Sequence, residues 1–197
     1  MSDVQAARPA GNAHDLAPMS GAPLWIAGLL LALANFMVVL DTTIANVSVP
    51  NIAGGLAVSP SQGAWVITSY AVAEAITVPL TGWLAARFGA VRVFVVAMIG
   101  FGLCSALCGL APSLPMLIVF RIMQGLSGGP MMPLSQTLLR RIFPVQLQPM
   151  AMGLWGMTTV VGPIVGPLLG GYLVDHAGWP WVFYVNVPVA ALCAFFT

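Results

Sequence analysis

Lysine is absent from this 197-residue chain: its six basic residues are all arginine, against five carboxylates, and the net charge is +1. Charged residues make up 6% of the sequence, where a water-soluble domain carries roughly 25%. So few charges cannot cover a surface that faces water. No basic cluster is available to hold nucleic acid. Three cysteines, Cys104, Cys108 and Cys193, lie in apolar runs with no histidine or carboxylate beside them. They supply neither a disulfide framework nor metal spacing, and read as small packing residues. Asp175 and His176 likewise have no metal-like spacing. No nucleophile–base set and no phosphate-cradling loop is present, so the chain does not read as an enzyme, and nothing calls for a cofactor. A basic segment followed by a short apolar core and a cleavage site is also missing from the N-terminus. Residues 1–23, rich in Ala, Gly and Pro, read instead as a flexible tail.

What the chain has in abundance is apolar length. Hydrophobic residues make up 59% of it, and mean hydropathy is +0.97. A membrane span needs about 20 mostly apolar residues. Six segments qualify, at about 24–49, 62–84, 91–110, 115–139, 148–173 and 181–197. They are too long and too continuously apolar for strand alternation, which predicts an all-α polytopic membrane helix bundle. Arg87 and Arg92 fall between the second and third segments, and Arg140 and Arg141 between the fourth and fifth. The intervening connections hold no basic residue. By the positive-inside rule the arginine-bearing loops and the N-terminal tail are cytoplasmic, and Trp25 stands where an interfacial aromatic would anchor the first span.

Against this background the ionisable residues inside the spans stand out. A carboxylate in a bilayer costs roughly 2.5–3.5 kcal/mol on insertion scales and so faces a protein interior or an aqueous cavity. Asp41 lies about nine residues before Pro50, roughly 13 Å from the outer end of its span at 1.5 Å per residue, and Arg121 lies roughly 9 Å into the fourth span from the same side. The opposite charges share a depth, and the spacing leaves open whether they touch. Gln124 follows Arg121 on the same helix face. Glu74, mid-span in the second segment, reads either as a cavity acid or as a lone carboxyl kept neutral. Tyr70 and Trp155 are cavity candidates, with packing as the plainer reading; Trp65 and Trp83 suit a membrane interface. The fifth segment carries Gly162, Gly166 and Gly170 at four-residue spacing, a flat face along which another helix backbone can approach. Pro163 and Pro167 each remove a backbone donor and favour a bend. Such faces are equally common in ordinary membrane bundles.

Several stretches, in order, resemble the major facilitator superfamily, and specifically its fourteen-helix drug:proton antiporter branch, the EmrB/QacA type. They are LDTTIANVSVP (40–50), GWLAARFGAVR (82–92), RIMQGLSGGPMMP (121–133), GPIVGPLLGG (162–171) and WPWVFYVNVP (179–188). The resemblance implies the six-helix N-terminal half of a major-facilitator fold, working by alternating access. It puts the proton-coupling acid at Asp41 and the membrane arginine at Arg121. The gating-loop motif falls on Gly82, Arg87, Gly89 and Arg92, and the antiporter motif on Gly162, Pro163, Gly166, Pro167, Gly170 and Gly171. The loop motif usually carries Asp where this chain has Ala86, so a latch built on that Asp is weaker here or built otherwise. The implied function is export of amphipathic or cationic drugs against protons across an inner membrane, with the proton gradient rather than a cofactor as energy source. The implied partners are lipid, a C-terminal half and, in a cell with two membranes, a periplasmic adaptor and an outer-membrane channel. The end at Thr197, inside an apolar run, reads as a truncation. A transporter of one defined solute, or a non-transporting membrane interaction element, are the alternatives.

Overall fold

The computed structural model describes residues 21–196; most of the expected tail lies outside them. The helices are α1 (Ala22–Gly55), α2 (Pro60–Gly63), α3 (Trp65–Phe88), α4 (Ala90–Gly109), α5 (Leu114–Gly128), α6 (Met131–Ile142), α7 (Gln148–Ala177), α8 (Trp181–Tyr184) and α9 (Asn186–Phe196). No strand occurs among the described residues. Four stretches, 22–55, 60–88, 90–109 and 148–177, are long and apolar enough to cross a membrane.

The helix boundaries differ from the apolar segments for identifiable reasons. Helix α1 does not stop at Pro50. It continues for five more residues, where Ile52 and Ala53 are buried, and packing outweighs the donor that proline removes. Ser59 then opens α2 with a capping box: its hydroxyl accepts from the Gln62 backbone N–H, and the Gln62 side-chain Oε1 accepts from the Ser59 backbone N–H. The fourth apolar segment is two helices rather than one. Pro130 has no N–H to return to the carbonyl four residues back, so α5 ends at Gly128 and α6 begins at Met131. The two prolines of α7 do not divide it; Pro163 and Pro167 sit inside one helix, both exposed.

Two seams of glycine set how the helices meet. On α7, Gly162, Gly166 and Gly170 are buried against α1. A Cβ at Gly162 would come within 2.5 Å of Val39, one at Gly166 would collide with the Thr43 side chain, and one at Gly170 would lie 3.2 Å from Ile44. The Thr43 hydroxyl also reaches the Gly162 carbonyl at 3.4 Å. On α5 and just beyond it, Gly125 and Gly129 lie against α3: a Cβ at Gly125 would stand 2.5 Å from the Tyr70 carbonyl oxygen, and one at Gly129 2.9 Å from Thr77 Cβ. Small residues of this kind let helix backbones approach closely inside a bilayer, where apolar burial gives little drive for association. Helix α4 packs on α5 and α9. The Ser105 hydroxyl on α4 donates to the Phe183 carbonyl at 2.8 Å, which ties α4 to α8.

A buried carboxylate shared by the helices

The polar centre of the bundle is Asp41. It sits on α1 between Val39 and Thr43, the residues that meet the α7 seam, but is 1% exposed and faces Arg121 on α5, itself 0% exposed. The Arg121 Nη1 donates to Asp41 Oδ2 at 2.7 Å, so the two charges at similar depth do touch. This is the one ion pair among the described residues. The other carboxylate oxygen, Oδ1, accepts from Gln124 Nε2 at 3.1 Å and from Asn186 Nδ2 at 2.6 Å. A carboxylate offers only acceptors, and here three donors from two other helices use both of its oxygens.

Arg121 is held as firmly as its partner. Its Nε donates to the Val66 carbonyl on α3 at 3.2 Å, and Nη1 also donates to Gln124 Oε1 at 2.8 Å. Its Cζ lies 4.2 Å from the centre of the Tyr70 ring and 5.6 Å from that of Phe183, within the range where a ring face attracts a cation. The Tyr70 position follows from the α3–α5 seam: no side chain at Gly125 keeps α5 from closing on the Tyr70 backbone. The Cys108 thiol on α4 reaches Gln124 Oε1 at 3.5 Å. Asn186 Nδ2 also donates to Ser105 Oγ at 3.2 Å. Leu40, Ile44, Val66, Leu117, Val182 and Phe183 surround this polar core with buried apolar side chains. Removing one partner of such a pair leaves a buried charge uncompensated.

Four of the residues singled out from the sequence thus meet in one place: Asp41, Arg121, Gln124 and Tyr70. Others lie elsewhere. Glu74 is half-buried one turn along α3 from Tyr70 and makes none of the cluster's hydrogen bonds. Trp155 packs in the other half of the core, where its Nε1 donates to Ser135 Oγ on α6 at 2.9 Å. Trp65 and Trp83 are exposed near opposite ends of α3. In the loop stretch, Gly82 and Gly89 have open space where a Cβ would be, and Gly89 has φ +89° at the turn between α3 and α4, a conformation that favours glycine. Arg87 is exposed beside the Phe88 ring, and Arg92 is exposed on α4. Pro163 and Pro167 face away from α1, and Gly171 touches nothing that a methyl would meet.

The reading of the sequence did not single out Asn186 or Ser105, and took Cys108 only as packing. Asn186 carried a usable signal, a carboxamide placed in an apolar run. Its pairing with a carboxylate 145 positions away is a property of the fold.

The sequence profile of the Major Facilitator Superfamily matches residues 31–197. The chain is 51% identical over 180 residues to the multidrug export protein EmrB of Escherichia coli K12, covering 91% of this chain and 35% of that one. It is 52% identical over 178 residues to the EmrB of Haemophilus influenzae, covering 90% and 35%. It is also 51% identical over 183 residues to the fatty acid resistance protein FarB of Neisseria gonorrhoeae, covering 93% and 36%. The chain therefore spans about a third of the length of these curated relatives. Among solved structures, a bacterial homolog of the human lysosomal transporter Spinster, inward-facing and occupied, superposes with a TM-score of 0.77 at 20% identity, covering 91% of this chain and 45% of that one. The proton:xylose symporter XylE superposes with a TM-score of 0.76 at 15% identity, covering 88% and 44%; at these identities the likeness concerns the fold. The helices described here make up the N-terminal half of that fold, and the chain belongs to the Major Facilitator Superfamily, a family of membrane transporters rather than enzymes.

Proposed function

We propose that the protein containing this chain exports amphipathic small molecules, cationic ones among them, in exchange for protons, by alternating access. It works in the inner membrane with the N-terminus of the chain in the cytoplasm. The observation that carries this reading is the buried carboxylate of Asp41, neutralised by Arg121 and fully supplied with donors. A buried carboxylate needs a charge-compensating partner, and any motion that parts Asp41 from Arg121 removes the one seen here. The proton then replaces the guanidinium as the charge-compensating partner. Two atoms are free for that second state: Asn186 Oδ1 and Arg121 Nη2 are buried without a hydrogen-bond partner. A half-turn of the Asn186 carboxamide presents its oxygen to a protonated Asp41.

The names of the relatives support the substrate class. EmrB proteins are called multidrug export proteins, and FarB a fatty acid resistance protein; an anionic amphiphile thus belongs in the range beside cations. Arg87 and Arg92 at the α3–α4 turn serve the cytoplasmic gate in this reading. The energy comes from the proton gradient, with no cofactor. In a cell with two membranes, a periplasmic adaptor and an outer-membrane channel would complete the route outward.

The test uses the complete gene product in inverted membrane vesicles, with dye or drug accumulation recorded against an imposed pH gradient. Gradient-driven accumulation is expected for wild type and its loss for Asp41→Asn. Undiminished transport in Asp41→Asn would remove Asp41 as the coupling group and promote Glu74, the other membrane carboxyl.

A further inference from the structure

Where the α3–α4 turn meets α5 and α6, a cleft of about 1090 Å³ opens. Arg87, Arg92 and Arg141 line it together with Leu84, Val96 and Leu126, and no carboxylate does. Ala86 is also on its wall. None of the three arginines has a carboxylate partner among the described residues, and all three are exposed. Among the described residues a cluster of three like charges is thus left uncompensated at the ends of helices that cross the membrane, directly beside an aliphatic wall.

We propose that this cleft binds an anionic phospholipid, with the headgroup phosphate between the arginines and the first part of an acyl chain against Val96 and Leu126. Charge complementarity argues for an anion, and the guanidinium fork matches phosphate oxygens two at a time. Basic pockets between membrane helices are where acidic lipid headgroups bind. The apolar wall argues for a lipid rather than a free ion, because a hydrated phosphate gains nothing from Leu84, Val96 and Leu126. Size agrees: at ~30 Å³ per water, the cleft equals about 36 water volumes, far more than a lone phosphate fills. The inference concerns a surface away from Asp41 and stands whether or not Asp41 couples protons.

The neighbouring Arg140 supplies an internal control. It is exposed like Arg141 and next to it in sequence, yet it does not line the cleft. The experiment is native mass spectrometry of the complete gene product released from nanodiscs of equal phosphatidylglycerol and phosphatidylethanolamine. Wild type is expected to retain phosphatidylglycerol selectively. An arginine near a membrane surface contributes about 1 kcal/mol toward an anionic lipid, or about fivefold. Arg92→Gln should therefore lower retention about fivefold, and Arg87→Gln/Arg92→Gln/Arg141→Gln on the order of a hundredfold; Arg140→Gln should leave it unchanged. Should the triple variant fail to fold, Arg92→Gln and Arg141→Gln separately carry the comparison with Arg140→Gln. Absence of selective retention by wild type would overturn the proposal, assigning the cleft to carboxylates from elsewhere in the protein. Equal loss in Arg140→Gln and Arg141→Gln would reduce it to general surface charge. Displacement of the lipid by millimolar inorganic phosphate would make it a free-anion site instead.

Discussion

Neutralising Asp41 should cost far more than neutralising its partner, and the difference can be worked from the contacts. In wild type the carboxylate accepts from Arg121, Gln124 and Asn186. An asparagine at 41 turns one of its two oxygens into a donor. If the remaining oxygen faces Arg121, the new amide can bond the oxygen of a turned Asn186 carboxamide but still meets the Gln124 amide; if it faces Gln124 and Asn186, the new amide meets Arg121 Nη1. Either orientation sets donor against donor, and the guanidinium stays charged without a counter-ion, because arginine does not release its proton in proteins. Breaking a buried pair in this way costs about 3–5 kcal/mol, which lowers Tm. Arg121→Gln is a different case. Asp41 keeps its bonds from Gln124 and Asn186 there, so the loss approaches that of the Arg121 hydrogen bond, about 1.5–3 kcal/mol. The double variant Asp41→Asn/Arg121→Gln buries no charge and should melt above Asp41→Asn alone. The assay is thermal unfolding of the purified gene product, followed by size-exclusion fluorescence. Additive effects in the double variant, or a wild-type Tm for Asp41→Asn, would refute the reasoning.

Two further outcomes follow from the same geometry. Gly166→Ala should destabilise by about 1–3 kcal/mol through overpacking against Thr43, whereas Gly171→Ala, with nothing in reach of the new methyl, should melt at or slightly above wild type; equal Tm values for the two would mean that the α1–α7 seam is not close-packed. Asn186→Leu removes the 2.6 Å bond to the carboxylate and should cost about 1.5–3 kcal/mol, with Ser105→Ala smaller because Ser105 touches Asp41 only through Asn186; a larger loss for Ser105→Ala would place the anchor of α9 elsewhere.

Much of the fold was legible because membrane helices announce themselves through length and apolarity, which are local. The intramembrane charges were legible for the same reason, since a carboxylate or guanidinium in an apolar run is costly unless partnered. Gln124 could be placed beside Arg121 by helix spacing alone, and the structure joins them at 2.8 Å. Contacts between helices were not legible in this way. The Asp41–Arg121 bond spans 80 positions and the Asn186–Asp41 bond 145, and nothing periodic in the sequence relates those residues. The break between α5 and α6 was visible in Gly128, Gly129 and Pro130 yet hidden by the apolar residues on either side. Trp155 shows the converse: an aromatic in a transporter-like helix suggests a cavity, while Ser135 across from it makes a packed, hydrogen-bonded core position.

The two glycine seams divide the bundle mechanically. One fastens α1 to α7 and the other fastens α3 to α5, so Asp41 belongs to the first pair and Arg121 to the second. Arg121 is moreover moored to α3 through the Val66 carbonyl, so it cannot follow α1 without abandoning its own pair. The salt bridge is thus a clasp between two stiff plates. If one plate slips past the other by a single helical turn, about 5.4 Å, the clasp is undone and both charges are stranded. Whatever neutralises them at that moment decides whether the plates stay apart or return.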